Sequence, residues 1–305
     1  MKIDYSSSGF LNSSLNGNSQ FDVSWHDLIW ATVTVGKPSW GSMFNYGLPF
    51  FCDVLSRLSI LRTTIRTPSL INNYFLKTDY YQTMERSEKG FVSYVHGMMM
   101  AKLVANKLLD IPWLVHLEHF EEIDQVIFGS GKSRPDLIGK KRVGMGMEYS
   151  VFEAKGRSGG FDKRALDKAK DQTRMISTIN GQIPVYRVAT ESYWKNGLKV
   201  AIVDPDDFKK EAVPVRFSEK QFFTAYYGRV LHLDRLKDTP LLNQFGIKVV
   251  LSGELEKALA TQNFDAIYKL EIPSDHEDRG EWKKFSDGIA IGLNPKIWND
   301  SMENL

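Results

Sequence analysis

Two segments of the chain carry apolar residues at the three- and four-residue spacing of an amphipathic helix. The first spans about residues 85–109, and the stripe that it would bury consists of Val92, Val95, Met99 and Leu103. The second begins at Asp162, whose carboxylate can cap the helix start, and runs to Ile176. Its stripe consists of Ala165, Ala169, Gln172 and Ile176. We therefore predict that Gln172 faces a sheet, whereas the lysines of this helix face water.

Segments with alternating or β-branched residues predict strands around the second helix. Pro135 and Asp136 precede a short apolar strand, a charged turn at residues 139–142 follows, and a second strand begins near Met147, which together indicate a hairpin. Further strands are predicted at residues 182–190 and 198–203. The strand, helix and strand of residues 147–190 form a crossover unit, and such a connection joins parallel strands. The pattern predicts an α/β fold with a mixed central sheet flanked by helices.

Two carboxylates and an amine come together in this hairpin. Glu153 and Lys155 lie two apart on the second strand, so their side chains project from the same face. The hairpin brings Asp136 near Glu153 despite the intervening residues. Paired carboxylates with a neighbouring amine suit a divalent metal ion and a phosphodiester.

Pro135, Asp136, Glu153 and Lys155 make the chain resemble the PD-(D/E)xK nuclease superfamily, which has the restriction-endonuclease-like fold. The resemblance implies that Asp136, Glu153 and the carbonyl of Ala154 bind Mg²⁺ or Mn²⁺, and that Lys155 acts in catalysis. It also implies that Gln172 approaches the active site, as a glutamine on this helix does in several branches. The tyrosine that some branches carry one turn later is Ile176 here, which leaves the branch open.

Glu88 is a further candidate metal ligand. It lies one turn before Val92 on the side of the helix that we expect to be buried, where an acid needs a partner or a metal. Superfamily members often carry a glutamate on the helix before the hairpin. The alternative is a glutamate of the first turn that is favoured by the helix dipole.

The net charge of +2 does not by itself indicate a nucleic-acid partner. Basic residues are nevertheless concentrated around the proposed site, where they would attract a phosphate backbone. The candidate DNA-binding residues are Lys140, Lys141, Arg157, Lys163, Lys170 and Arg174. For any one of them, a solvated helix face or hairpin tip is the simpler explanation, and only their clustering around the acidic site favours a role in DNA binding.

Other classes of chemistry find little support. The single cysteine, Cys52, excludes an internal disulfide framework and a multi-cysteine zinc site, and we expect it to be buried. His116, Glu118 and His119 are close in sequence, but a zinc site needs further ligands, and a polar sheet edge is the simpler interpretation. The chain contains no phosphate-binding loop of the Walker kind, no dinucleotide fingerprint and no glycine-flanked serine elbow. No apolar run predicts a membrane span and no amino-terminal signal is evident, so we expect a cytoplasmic protein.

The 305 residues allow one large domain or two smaller ones. We expect a disordered arm or a short strand at residues 1–20, because they are rich in Ser, Asn and Gly. Aromatic-rich residues 21–82 predict a helical N-terminal region, residues 83–207 the nuclease core, and residues 208–305 an appended α+β region or a continuation of the sheet.

These features predict a metal-dependent nuclease that hydrolyses phosphodiester bonds in DNA. Extra regions on both sides of the core resemble nucleases of restriction, antiphage defence or mobile-element systems. The alternative is a nucleic-acid-binding or regulatory subunit with a nuclease fold that cuts only within a multi-protein assembly. Partner proteins or a homo-oligomer are compatible with either interpretation.

Overall fold

The computed structural model describes residues 1–36, 47–67, 73–121, 134–205, 207–235, 240–270 and 281–298. Its strands are β1 (Lys2–Ser8), β2 (Gly17–Asp22), β3 (Ile65–Arg66), β4 (Leu76–Lys77), β5 (Trp113–His116), β6 (Leu137–Val143), β7 (Gly146–Gly156), β8 (Ile176–Ile179), β9 (Tyr186–Trp194), β10 (Leu198–Val203), β11 (Val213–Val215), β12 (Ile247–Leu251), β13 (Trp282–Lys284) and β14 (Ile289–Leu293). Its α-helices are α1 (Trp25–Thr34), α2 (Gly47–Thr64), α3 (Asp79–Thr83), α4 (Arg86–Leu109), α5 (Glu118–Glu121), α6 (Lys163–Thr173), α7 (Glu219–Arg235), α8 (Pro240–Phe245), α9 (Gly253–Ala260), α10 (Phe264–Ile267) and α11 (Pro295–Trp298).

Seven strands form the central sheet in the order β2-β1-β10-β9-β7-β6-β5. The sheet is mixed: β7 pairs with β9 and β1 with β10 in parallel, whereas the remaining neighbours are antiparallel. The predicted α/β class with a mixed central sheet is therefore confirmed, as are the hairpin β6–β7 and the parallel crossover from β7 through α6 to β9.

Helices cover both faces of this sheet. On one face, Leu166 and Ala169 of α6 pack against Ala189 and Ala201 of the sheet. On the other face α4 approaches β7 so closely that a Cβ atom on Gly156 would lie 1.7 Å from the carbonyl oxygen of Ser93. The site therefore lies on a β-strand that is held between two helices.

Both predicted helices are present, and Asp162 caps α6 by accepting hydrogen bonds from two backbone amides. Gln172 and Ala169 are buried as predicted. Ile176 is not on the helix, because α6 ends at Thr173 and Ile176 begins β8. The charged segment at residues 139–142 is also not a turn, since β6 continues to Val143.

Residues 1–20 do not form a disordered arm. Strand β1 pairs with both β10 and β2, so this segment supplies an edge of the central sheet. The expected burial of Cys52 is also wrong, because its side chain is exposed.

The C-terminal region contains its own antiparallel sheet, in the order β12-β14-β13. This sheet is anchored to α1 by an ion pair of 2.7 Å between Lys283 and Asp27 and by stacking of Phe285 on Trp30, with ring centroids 4.5 Å apart. None of the described helices combines the length and apolarity of a membrane span.

Candidate active site

The hairpin places the two predicted carboxylates side by side. Leu137 pairs with Phe152 in the antiparallel register of β6 and β7, and Asp136, just before the start of β6, lies within reach of a side-chain hydrogen bond with Glu153. The structure therefore brings Asp136, Glu153 and Lys155 to one place, on the face that α6 covers.

Glu153 is fully buried, with 0% of its surface exposed. One carboxylate oxygen accepts a hydrogen bond from Lys155, whereas Oε2 accepts none from a donor of the described residues; a protonated Glu153 can instead share its proton with Asp136, which contributes to the raised pKa of Glu153. Burial, followed by the charge of Asp136, raises the pKa of Glu153 to about 8. A buried carboxylate beside a second acid is costly, unless a cation or a proton offsets its charge.

Asp136 is held by the backbone of β7. Its Oδ2 accepts a hydrogen bond of 3.0 Å from the amide of Ala154, and its own amide donates to the carbonyl of Phe152. The amide and carbonyl of one strand residue point toward the same neighbouring strand. The Ala154 carbonyl therefore also points toward the β6 side of β7, level with the residues that precede β6. Three hard oxygen donors, two carboxylates and a backbone carbonyl, thus lie in this part of the sheet.

Lys155 is partly exposed, at 27% of its side chain, and forms its ion pair with the buried Glu153. This position allows the ammonium to contact both the carboxylate and a molecule that approaches from solvent. The predicted pairing of Glu153 and Lys155 on one face is confirmed.

Gln172 reaches the segment that precedes Asp136. Its Nε2 donates a hydrogen bond of 2.8 Å to the carbonyl of Arg134, two residues before Asp136. Its buried Oε1 has no partner among the described residues. Gln172 therefore lies near the site, as predicted, and its hydrogen bond is to a backbone carbonyl.

Glu88 does not join the cluster. It is exposed in the first turn of α4, where its carboxylate accepts a hydrogen bond of 2.9 Å from the amide of Glu85 and completes a capping box. Our expectation of a buried, metal-facing Glu88 is wrong, because a helix start selects an acid at this position for capping.

Lys140 is also not on a DNA-facing surface. It is fully buried, forms an ion pair with Glu219, and lies 5.0 Å and 5.1 Å from the ring centroids of Phe222 and Phe223. Burial lowers its pKa. Lys140 is separated from Asp136 by about 13 Å along the strand, and it anchors α7 on the sheet. This candidate DNA-binding residue is a core residue.

The other basic candidates divide into two groups. Lys141 projects from the opposite face to Asp136 and pairs with Glu148 at 3.5 Å. Arg157 pairs with Asp162 at the start of α6, where Lys163 is exposed. Lys170 on α6 and Arg174, directly after the end of α6, are partly exposed, and Arg174 pairs with Asp207 at 2.6 Å. Arg157, Lys163, Lys170 and Arg174 therefore remain on the side of the sheet that carries the carboxylates.

Sequence reasoning missed Glu191, a second fully buried acid on this face. It lies opposite Lys155 in the parallel pair β7–β9, and burial raises its pKa. Its Oε1 accepts a hydrogen bond of 2.6 Å from the amide of Asp162, which positions the start of α6. The strand that we predicted at residues 182–190 ends one residue before Glu191, whereas β9 continues to Trp194; the alternation that extends past residue 190 was the signal that could have found it.

Sequence reasoning also missed Tyr94, on the helix that packs on β7. Burial raises the pKa of its hydroxyl, the charge of Arg57 lowers this pKa, and the charge of Asp136 raises it further.

His116 and Glu118 are neighbours of the site but form no zinc site. His116 ends β5, and Glu118 forms an ion pair of 2.7 Å with Arg134. Within the described part of the chain, no group of three or more His, Cys, Asp or Glu side chains is arranged to hold a metal.

Compared with protein-family models, curated proteins and solved structures, the chain matches none. Its function must therefore be inferred from the chemistry of the site itself.

Proposed function

We propose that this protein is a metal-dependent nuclease that hydrolyses phosphodiester bonds in DNA, built on a restriction-endonuclease-like core. The observation that carries the proposal is the buried Glu153 carboxylate. It lies next to Asp136, Lys155 donates a hydrogen bond to one of its oxygens, and the other oxygen accepts no hydrogen bond from a donor of the described residues. The carboxylate oxygens of Asp136 and Glu153 are the donors that Mg²⁺ or Mn²⁺ prefers, since both ions take hard oxygen ligands.

The residues present fit such an ion. Asp136, Glu153 and the carbonyl of Ala154 would hold it, and water would complete the coordination, as is usual for Mg²⁺. The buried Oε2 of Glu153 supports the assignment, because a cation would offset the charge of a carboxylate that burial otherwise disfavours. The bound ion would supply Lewis acidity toward a phosphate oxygen and a lowered pKa for water.

The protein side chains would divide the remaining work. The Lys155 ammonium would leave Glu153 in part to contact the scissile phosphate, where it offsets the negative charge that develops in the transition state and orients the attacking water. Gln172 would hold the Arg134 carbonyl, and thereby keep Asp136 in position. Arg157, Lys163 and Lys170 would attract the phosphate backbone toward this face.

The test is cleavage of linear, circular and single-stranded DNA by the purified chain with Mg²⁺, Mn²⁺ or EDTA. We expect cleavage with either metal and none with EDTA. Asp136→Ala and Glu153→Ala should each abolish it while the fold remains, since they remove ligands and relieve charge repulsion. The matched control is Asp167→Ala, which removes an exposed carboxylate of α6. Cleavage that persists in either site variant, or in EDTA, would contradict the proposal.

A further inference from the structure

The sheet β12-β14-β13 has one buried and one exposed face. The face toward the core consists of Ile247, Val249, Leu251, Ile289, Ile291 and Leu293, all buried. The opposite face exposes Lys248 on β12 and both Trp282 and Lys284 on β13. The central strand contributes only Gly292 and Ala290 to this face. The result is a shallow surface with small residues at its centre and an aromatic ring at its side.

Trp282 lies across the central strand because residue 292 is glycine. Both Trp282 and Lys248 pair with Gly292, from opposite sides. A Cβ atom on Gly292 would lie 2.8 Å from the indole Cζ2, so a larger residue would displace the ring. One side of the ring covers the glycine backbone, and such aromatic covering of a glycine stabilises a sheet. Trp282 nevertheless remains 36% exposed.

A cavity of about 340 Å³ opens beside this ring. This volume lies at the lower end of the range of about 300–1,000 Å³ that small-ligand sites occupy. Polar groups of Lys248, Glu281, Asn243 and Asn294 line it together with Trp282. The cavity therefore combines a flat aromatic surface, a cation and several hydrogen-bonding groups.

We propose that this cavity binds an unpaired nucleotide, with its base stacked on Trp282 and its phosphate near Lys248. That the nucleotide belongs to the DNA substrate rests on the proposed function. Nucleic-acid surfaces that accept single strands combine aromatic side chains with basic residues that follow the backbone. The Cα atoms of Trp282 and Lys248 are separated by two strand spacings, about 10 Å, which allows one nucleotide to contact both.

Charge and polarity favour this occupant over an apolar protein segment. Lys248 and Lys284 lie on either side of the small central residues, and both are exposed. The acid of the cavity, Glu281, can accept a hydrogen bond from an exocyclic amino group of a base. An apolar partner would desolvate these three charged groups and offer none of them a hydrogen bond, at a cost in free energy.

The experiment measures binding of the full chain to a fluorescent single-stranded DNA and to the duplex of the same sequence, both in EDTA. Trp282→Ala should weaken single-strand binding about tenfold, since loss of one stacked base has an effect of this order. Duplex binding should change little. Lys248→Ala should also weaken single-strand binding and reduce its salt dependence by about one phosphate contact.

Two further variants separate stacking from stability. Trp282→Phe keeps a ring over Gly292 and should retain most of the single-strand affinity. Lys257→Ala, an exposed lysine of α9, should leave both affinities unchanged. Thermal unfolding of each variant shows whether the fold is intact. If Trp282→Ala does not fold, Lys248→Ala combined with Lys284→Ala carries the test.

The outcomes distinguish this proposal from the proposed function. Unchanged single-strand binding by a folded Trp282→Ala variant, or an equal loss for single strand and duplex, would overturn the nucleotide site. Metal-dependent cleavage by the wild-type protein would still stand in that case. Conversely, a selective loss in Trp282→Ala without any metal-dependent cleavage by the wild type would support the nucleotide site and overturn the nuclease.

Discussion

The burial of Glu153 affects both its protonation state and the stability of the metal-free protein. A fully buried carboxylate next to a second acid favours its protonated form, and its pKa is raised to about 8. Lys155 offsets only part of this effect. The residue therefore lowers the stability of the metal-free protein near neutral pH, as charged groups at functional sites often do.

The first prediction concerns Glu153→Gln without metal. Between the ordinary value of 4.5 and about 8, the folded protein holds a proton that the unfolded chain releases. The free energy of unfolding of the wild type therefore falls as pH rises through this window. The variant should be more stable at pH about 8.5, by a difference on the order of 5 kcal/mol, and nearly equal to the wild type at pH about 4. Urea unfolding in EDTA measures both.

Asp167→Asn, an exposed control, should show no such pH-dependent difference from the wild type. A stability difference for Glu153→Gln that is the same at both pH values would show that the buried proton is not its cause.

The second prediction separates catalysis from metal binding. Lys155→Ala removes the ammonium but leaves the oxygens of Asp136 and Glu153. We expect turnover to fall by about 100-fold or more, whereas calorimetric Mn²⁺ affinity should stay the same or increase. Loss of metal binding and of the folded state together would identify Lys155 as a structural residue.

At the scale of elements, the site depends on how α4 and α6 hold β7 between them. Helix α6 reaches the segment before Asp136 through Gln172, and its start is held by Glu191. Helix α4 approaches at Gly156, one residue after Lys155. Gln172 of α6 and the close approach of α4 both contact backbone, which fixes the course of the chain at the site.

The third prediction concerns Gln172→Ala. Alanine favours the helix slightly, but the variant loses the buried hydrogen bond to the Arg134 carbonyl, which should cost about 1 kcal/mol or more. Turnover should fall because Asp136 is less well held. Lys170→Ala on the same helix is the control: it should reduce DNA affinity and its salt dependence, yet leave stability and turnover at saturating DNA unchanged. Wild-type turnover in Gln172→Ala would remove this residue from the site.

The fourth prediction tests the approach of α4 to β7. In Gly156→Ala the new Cβ atom would lie 1.7 Å from the Ser93 carbonyl oxygen, so the helix backbone must move. Overpacking of this kind costs about 1–3 kcal/mol, and displacement of Lys155 should lower cleavage. Chemical unfolding and a cleavage assay measure the two effects. Gly160→Ala is matched, because a Cβ atom there meets nothing within 4 Å. Equal behaviour of the two variants would contradict the prediction.

At the scale of the whole molecule, a buried polar network joins the C-terminal sheet to the core. The ammonium of Lys102 on α4 donates to the Tyr226 hydroxyl at 2.8 Å and lies 4.3 Å from the Trp30 ring. Tyr226 in turn donates to Asp287, which precedes β14 and also accepts from Trp30. This network connects α1, α4, α7 and the C-terminal sheet.

The fifth prediction is a pH dependence from this network. Burial lowers the pKa of Lys102 from 10.5 to about 7. Within this window the unfolded chain binds a proton that the folded protein lacks, so the Lys102 contribution to stability increases as pH rises. Lys102→Met should lose this increase between pH about 7.5 and 9.5, as urea unfolding can measure. The control Lys257→Met, at an exposed residue, should retain the increase in stability with pH. A slope that persists in Lys102→Met would assign it to other groups.

The sequence by itself determined the local parts of the site. Alternation places Glu153 and Lys155 on one face, a hairpin returns the chain to Asp136, and an apolar stripe turns Gln172 inward. These patterns depend on neighbours in sequence, so periodicity is enough to predict them. The prediction that Glu88 is buried was wrong, because its position one turn before a buried stripe does not show whether another element covers that first turn.

Only the tertiary structure decided the rest. Strand β1 joins the sheet by pairing with β10, nearly 200 residues later, and no local signal in a segment rich in serine and asparagine encodes that partner. Lys140 is buried because α7 supplies Glu219 and aromatic rings around it. Trp282 has its flat, exposed position because Gly292 lies beneath it on the neighbouring strand. In each case the environment comes from residues distant in sequence, and burial and pairing across such distances are set by packing of the whole chain rather than by propensity.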